Sequence, residues 1–248
     1  MKFLIYIFSL SLLSSAMVVP VNSWTAITVE DMAKETKKIE SVYKVNVGYS
    51  FTISHITYKN YTTLTPEDKM TGYYIKDAKN NYHSYILGVH TIQNSKVKIT
   101  VDSVNKSIQI NSPDRSFTKE VKLSEVEEML KICSAVKKQD VTTGKKFRME
   151  FSKTKKYSAY EVWVNSSSQL EKLVMYFNAE FPSNPNDEKS AKTKPRAEVV
   201  FADYKTGIKP LYKDYFDEAK YITLKGDGYV ASSAYKDYKI YDLRVKTK

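Results

Sequence analysis

Residues 45–54 read VNVGYSFTIS, and this stretch decides the fold class. Val45, Val47, Tyr49, Phe51 and Ile53 alternate with small or polar residues, so that every second position is apolar. A period of two residues is typical of a β-strand with one face buried and the other face in water. The chain is therefore expected to build a sheet that has one apolar face.

Further strands with the same alternation follow. Residues 69–88 indicate two strands joined by turn-forming residues at 78–81. In residues 96–110, KVKITVDSVNKSIQI, the alternation resumes after a turn at Asn105 and Lys106, and strands joined so tightly pair antiparallel. The same pattern recurs in residues 147–151, 160–164, 173–177 and 197–201. We expect about eight or more strands, mostly antiparallel.

Two amphipathic helices are predicted among the strands. Thr28 can cap the first helix, and positions 32, 36, 39 and 43 follow at helical spacing. The second helix is expected after Ser124. Its predicted inner face consists of Val126, Met129, Leu130, Cys133 and Val136. These elements together predict an α+β protein that is mostly antiparallel β.

The N-terminus has the pattern of a secretory signal peptide. Lys2 precedes an apolar run that reaches Leu13, and small residues follow. A membrane anchor is the alternative, but four serines and Pro20 in the same segment disfavour it. No cysteine follows the run, so we do not expect a lipid-modified N-terminus. The protein is predicted to be periplasmic or secreted.

Signal cleavage is expected near Ala16 or Ser23. This assigns residues 1–23 to the signal peptide and residues 24–248 to a single domain. From about residue 207 the sequence becomes irregular and rich in tyrosine. We interpret that part as an atypical C-terminal tail.

Composition restricts the function further. The formal net charge is +11, and removal of Lys2 leaves +10, nearly all of it from lysine. Scarce arginine and the predicted export argue against a nucleic-acid partner, although tyrosines interleaved with lysines could serve as stacking platforms. Cys133 is the single cysteine, so no disulfide framework exists and stability must come from the core.

The sequence contains no recognisable catalytic or metal-binding motif. His55, His83 and His90 do not have ligand spacing with one another or with a cysteine. The serines show no nucleophile elbow, and Cys133 is expected in the helical core. We therefore predict a protein that is not an enzyme and that has no cofactor and no metal.

Three segments resemble the periplasmic lipoprotein-carrier (LolA-type) family and its outer-membrane receptor relatives. They are GYYIKDAKNNYHSYI at 72–86, NSKVKITVDSVNKSIQI at 94–110 and LSEVEEMLKIC at 123–133. The resemblance extends over residues 30–204. Two departures are that the first long strand lacks the arginine common in the family, and that the tail has no counterpart.

The resemblance implies an incomplete, half-open β-barrel covered by two or three helices. It also implies a noncatalytic, monomeric carrier whose partners are the acyl chains of lipids or lipoproteins and an inner- or outer-membrane protein. Each methylene that such a cavity removes from water contributes about 0.8 kcal/mol. The expected cavity residues are Val47, Tyr49, Phe51, Ile53, Val101, Phe147, Met149, Phe151, Val162, Met175, Phe177, Val199 and Phe201.

A second interpretation stays open. An ordinary packed core uses the same residues at the same spacing. In that case the chain is a secreted structural or protein-interaction β domain with a filled core and no small-molecule ligand.

Overall fold

The computed structural model of the protein describes residues 23–43, 46–113, 123–184, 187–226 and 228–244. The predicted signal peptide lies outside these residues except for Ser23. The α-helices are α1 (Val29–Tyr43), α2 (Leu123–Ile132) and α3 (Tyr212–Tyr215), and short 3-10 turns occupy Glu218–Lys220 and Ser233–Tyr235. The strands are β1 (Thr25–Ile27), β2 (Tyr49–Tyr58), β3 (Asp68–Lys76), β4 (Tyr82–Ile86), β5 (Val89–Gln93), β6 (Lys98–Asp102), β7 (Ser107–Asn111), β8 (Ala135–Val141), β9 (Gly144–Glu150), β10 (Tyr157–Asn165), β11 (Leu170–Phe177), β12 (Phe181–Asn184), β13 (Asp187–Thr193), β14 (Arg196–Thr206), β15 (Ile222–Lys225), β16 (Gly228–Ala231) and β17 (Lys239–Asp242).

One large sheet dominates the described part of the chain. Its thirteen strands lie in the order β1-β8-β9-β10-β11-β14-β2-β3-β4-β5-β6-β7-β17, and the order does not close on itself. Neighbours pair antiparallel except β7 and β17, which are parallel. The predicted class, mostly antiparallel β with helices, is confirmed. The half-open barrel stays a prediction.

Helix α1 forms as its sequence predicts. The Thr28 hydroxyl accepts a hydrogen bond from the Asp31 amide at 3.1 Å, which satisfies one free donor of the first turn. The residues at positions 32, 36, 39 and 43 are all buried, as their spacing indicates. One face of the helix therefore packs against the sheet.

The sheet has two faces, and each face has its own core. We call the face that carries Phe51 the helix face, because it packs against α1 and α2 in one cluster of buried residues. Residues that lie opposite each other in paired strands point to the same face. Starting from Phe51, the successive opposite residues in β3, β4 and β5 lead to Thr100 in β6, so Thr100 lies on the helix face. Since neighbours along a strand point to opposite sides, Val101 lies on the other face.

The second core lies on that other face, over β5, β6 and β7. It consists of Ile92, Val97, Ile99, Val101, Ile108, Ile110, Tyr221 and Ile222. The last two residues belong to the C-terminal tail (residues 207–244), so we call this side the tail face. The hairpin of β15 and β16 and the edge strand β17 also belong to the tail. The residues that the sequence leaves irregular therefore cover half of one face.

Several sequence predictions are wrong in detail. Helix α2 ends at Ile132, and Val136, predicted on its inner face, lies in β8 opposite Met149. Strand β2 begins at Tyr49, so Val47 lies before it. Gly48 lies between them, and its carbonyl accepts a hydrogen bond from the Ile208 amide at 3.3 Å.

The long polar stretch after β11 is the other difference. Residues 181–195, FPSNPNDEKSAKTKP, are polar and contain three prolines, which predicts an exposed loop, but β12 and β13 pair there, with Phe181 opposite Thr193. Backbone pairing of this kind needs no apolar alternation, so the side-chain pattern did not indicate it.

Candidate functional site

Half-buried apolar side chains form a row at one end of the helix face. We call them the apolar rim, which is defined by Met70, Phe151, Tyr157, Met175 and Phe177. They come from β3, the residue after β9, β10 and β11, near the points where these strands begin or end. Met70 is 45% exposed, and the other four are partly exposed. Water therefore contacts apolar surface at this end of the sheet.

The strand register holds together the four members of the apolar rim on or next to β9–β11, while Met70 lies on the same face three strands from β11, level with Val199 and Leu173. Phe177 lies opposite Tyr157, with 5.1 Å between the ring centroids. The Phe151 amide donates to the Ser158 carbonyl at 3.0 Å, which fixes the turn between β9 and β10 beside that pair. Phe201 in β14 lies farther from the strand ends and is also half-buried, with its ring 5.7 Å from that of Phe51. The partly exposed apolar surface thus extends inward from the rim.

Most of the expected cavity residues lie deeper on the helix face. The buried ones pack in the cluster with α1 and α2. They are Tyr49, Phe51, Ile53, Phe147, Met149, Val162 and Val199. Phe151, Met175 and Phe201 pack against that cluster while partly exposed, and Phe177 is half-buried beside Tyr157. These eleven residues share one face.

Two expected cavity residues lie elsewhere. Val101 belongs to the core on the tail face, on the opposite side of the sheet from Phe51. Val47 precedes β2 and is 41% exposed. The alternation in residues 96–110 correctly predicts the strand that contains Val101, but alternation does not indicate which face of a neighbouring hairpin carries the apolar row.

An aromatic stack behind the rim was not predicted. The rings of Tyr49, Tyr74 and Tyr204 lie parallel to that of Phe51 or nearly so, and Tyr43 of α1 meets three of these rings edge-on. Tyr204 reaches the stack because β14 has a bulge between Ala202 and Lys205. A bulge inserts one residue and changes which side chain points inward, and periodicity does not reveal it.

A basic side chain lies beside the rim. The Lys156 ammonium lies 5.0 Å from the Tyr157 ring centroid and 5.9 Å from that of Phe177. A cation over an aromatic face is weakly attracted to it and keeps its own hydration. An anionic group that approached the rim would therefore meet a lysine at its edge.

Cys133 contributes packing to this region. It follows α2, is partly buried and packs against the helix-face cluster. Burial raises the pKa of its thiol above the ordinary value, so the reactive thiolate is disfavoured. This environment is typical of a structural cysteine.

The tail face of β9–β11 and β14 carries paired charges. Glu161, 5% exposed, accepts hydrogen bonds from Arg148 at 2.5 Å and from the Trp163 indole at 2.9 Å. Lys172 pairs with Glu198 at 2.9 Å.

Two histidines that lie apart in sequence come together on the tail face. His83 Nε2 lies 3.2 Å from His90 Nδ1, and the Tyr73 hydroxyl lies 3.3 Å from the same His83 nitrogen. Strands β4 and β5 place them there, and only the fold reveals the contact. Within the residues that the structure describes, no group of three or more His, Cys, Asp or Glu could hold a metal ion.

No α-helix in the described ranges is both long and apolar enough to span a membrane.

No protein-family model matches the chain, and no curated protein matches it. Some solved structures are similar to the chain. An uncharacterized conserved protein from Thermus thermophilus is 9% identical, with a TM-score of 0.43, and the match covers 86% of this chain and 99% of that one.

Two further structures bear names from the family that the sequence resembles. A LolA superfamily protein from Nitrosomonas europaea is 10% identical over 78% of this chain and 99% of that one, with a TM-score of 0.32. An outer membrane lipoprotein-sorting protein domain from Vibrio parahaemolyticus is 11% identical over 75% and 97%, with a TM-score of 0.28. At these identities and scores, the similarities carry no information about ligand or activity.

Proposed function

We propose that the chain is a noncatalytic carrier that binds acyl chains of lipids or lipoproteins at the apolar rim. The observation that carries the proposal is the row of partly exposed Phe, Tyr and Met side chains at one end of the helix face. Apolar surface gathered at one place on an otherwise charged protein is typical of a binding site. The sequence resemblance to lipoprotein carriers supports the same chemistry.

The rim suits a flexible apolar chain better than a rigid ligand. Methionine at two of its five positions can adapt to irregular hydrocarbon surface. Burying one methylene contributes about 0.8 kcal/mol, so about ten buried methylenes supply the free energy of micromolar binding before the entropic cost of association is subtracted. Lysine at the edge, as at Lys156, would face the polar end of such a ligand.

The proposal includes a location and a cellular role. We infer a periplasmic or secreted monomer that receives its cargo from, or delivers it to, a membrane-attached partner protein. The predicted signal peptide supports export, and the positive net charge favours approach to anionic membrane surfaces.

Native mass spectrometry tests the proposal. Protein exported by a bacterial host and purified without detergent should carry acyl species at stoichiometric occupancy, and should bind cis-parinaric acid once they have been extracted. Phe177→Asp should weaken parinaric acid binding about 10-fold or more, since a buried phenyl ring contributes roughly 1.5–3 kcal/mol. Phe177 lies outside the buried cluster, so circular dichroism should still show a folded sheet.

Leu224→Asp is the matched control, because Leu224 is 64% exposed on β15 in the tail. That variant should bind parinaric acid like the wild type. Wild-type protein that is free of acyl species and does not bind parinaric acid would contradict the carrier function.

One observation favours the second candidate, a secreted structural or interaction domain. Seven of the thirteen expected cavity residues are buried in the packed cluster, as a filled core requires. Under that alternative, Phe177→Asp changes neither lipid content nor parinaric acid binding. The same experiment therefore separates the two functions.

A further inference from the structure

A groove of about 670 Å³ lies on the tail face, away from the apolar rim. Its floor includes Ser50 and Thr52 of β2 and Tyr73 of β3, which alternate with residues of the helix-face core. Asp203 and Lys205 of β14 line it, and so does Tyr215 of α3. The groove is therefore built jointly by the sheet and the C-terminal tail.

The β14 bulge shapes this groove. Asp203 has a φ of 54°, a left-handed conformation that is costly for a residue other than glycine. Its carboxylate accepts a hydrogen bond from the Thr52 hydroxyl at 3.0 Å, which holds it over β2. Bulges and strained residues concentrate at functional sites, where they re-aim a side chain. Here the bulge aims a carboxylate into the groove.

Tyr73 is held in place from behind. Its hydroxyl lies 3.3 Å from His83 Nε2, and its ring meets the His83 ring edge-on at 5.2 Å. His83 in turn contacts His90 at 3.2 Å. Such outer contacts fix the orientation of an aromatic side chain before a ligand arrives. Tyr215, 36% exposed, presents a second tyrosine on the tail side of the groove.

The mixture of groups selects a neutral, polyhydroxylated ligand. Asp203 repels an anion, and Lys205 repels a cation, so neither charge is favoured over the other. Hydroxyls and a carboxylate offer several hydrogen-bond partners, while tyrosine rings provide flat apolar surface for the C–H face of a sugar. We propose that this groove binds a neutral carbohydrate, independently of any acyl chain at the apolar rim.

Titrating the full-length mature protein with maltotriose, cellotriose and chitotriose tests the proposal. Binding is measured from the amide chemical shifts in NMR spectra. At least one trisaccharide should bind with a Kd of about 1 mM or lower and shift amides around residues 50–52, 73 and 203–205. Tri-galacturonate, an anion, and chitosan trimer, a cation, should bind about 10-fold more weakly.

Asp203→Asn keeps the acceptor for Thr52 and should weaken trisaccharide binding about 10-fold, as should Tyr215→Ala. Tyr241→Ala, at a 48% exposed position on β17, serves as the control and should leave binding unchanged. None of these variants should alter parinaric acid binding, which separates this site from the proposed carrier function. Failure of all three neutral trisaccharides to bind at about 10 mM, or unchanged affinity in Asp203→Asn, would overturn the assignment.

Discussion

The side-chain amide of Asn94 donates a hydrogen bond to Glu218 Oε2 at 2.7 Å and thereby joins the turn after β5 to the C-terminal tail. The same amide lies 3.2 Å from the Phe216 carbonyl, and Lys96 pairs with Glu218 at 2.9 Å. Asn94 is only 3% exposed, and Phe216 is fully buried. This contact fixes the tail at one point on the sheet.

Replacing Asn94 with alanine should loosen the tail. Glu218 and the Phe216 carbonyl lose a donor at a buried place, which costs about 1–3 kcal/mol. We expect a lower free energy of unfolding in urea and faster hydrogen exchange of the amides from Tyr212 to Tyr221. Asn105→Ala, in the exposed turn after β6, is the control and should be nearly neutral. Unchanged exchange rates in Asn94→Ala would show that Asn94 does not hold the tail.

Tyr43 makes a comparable link on the helix face. Its hydroxyl accepts a hydrogen bond from the Leu170 amide at 3.0 Å, and the side chain is 1% exposed. Tyr43→Phe keeps the ring in the aromatic stack but leaves that amide without its acceptor, so we expect a loss of about 1–3 kcal/mol in urea unfolding. Tyr241→Phe removes an exposed hydroxyl and should change stability by less than about 0.5 kcal/mol. Equal free energies of unfolding for Tyr43→Phe and Tyr241→Phe would show that the hydrogen bond between the Tyr43 hydroxyl and the Leu170 amide does not stabilise the fold.

The sequence reveals the strands and α1 better than it reveals the site. Side-chain periodicity identifies Phe51 and Ile53 as inward-facing and the spacing of α1 as amphipathic, because burial imposes those periods. It cannot assign Val101 to a face, since that depends on pairing across four strands. The contact of His83 with His90 and the bulge at Asp203 arise from register, which leaves no local pattern.

The stability of the fold should depend on pH through His83. Burial, the neighbouring His90 and the charge of Lys220 lower the pKa of His83 from 6.5 to about 4. The unfolded chain therefore takes up a proton near pH 6.5, while the folded chain does not until about pH 4. The free energy of unfolding is greatest above pH 6.5 and falls as the pH drops towards 4, by at most about 1.4 kcal/mol per pH unit.

Urea unfolding at pH 7 and pH 5 measures this effect. His83→Gln should reduce the difference between the two stabilities, because the buried imidazole is gone. Tyr73 and Tyr85 also contact the pair, Lys220 acts on it through its charge, and burial raises the pKa of Tyr73 above its ordinary value. If His83→Gln and the wild type showed the same pH dependence of stability, that dependence would come from groups other than His83.

Gly72 should tolerate no side chain. A Cβ at this position would lie 1.8 Å from the Tyr85 carbonyl oxygen, and that backbone cannot move without disturbing the pairing of β3 with β4. Gly72→Ala should lower the free energy of unfolding by about 1–3 kcal/mol or more, which is the cost of overpacking. Gly228→Ala meets nothing within 4 Å and is the control. Thermal unfolding of both variants tests this prediction. Equal unfolding midpoints for Gly72→Ala and Gly228→Ala would show that β4 can shift to make room for a side chain.

The parallel pairing of β17 with β7 has a consequence for synthesis. Ser107 lies opposite Lys239, so the isoleucines of β5–β7 obtain their cover from residues that leave the ribosome long after them. If the chain is exported, as we propose, these strands cross the membrane well before their partner does. Nascent chains should therefore expose an apolar surface transiently. Chaperones that bind such surfaces should influence the yield of this protein more than its final stability.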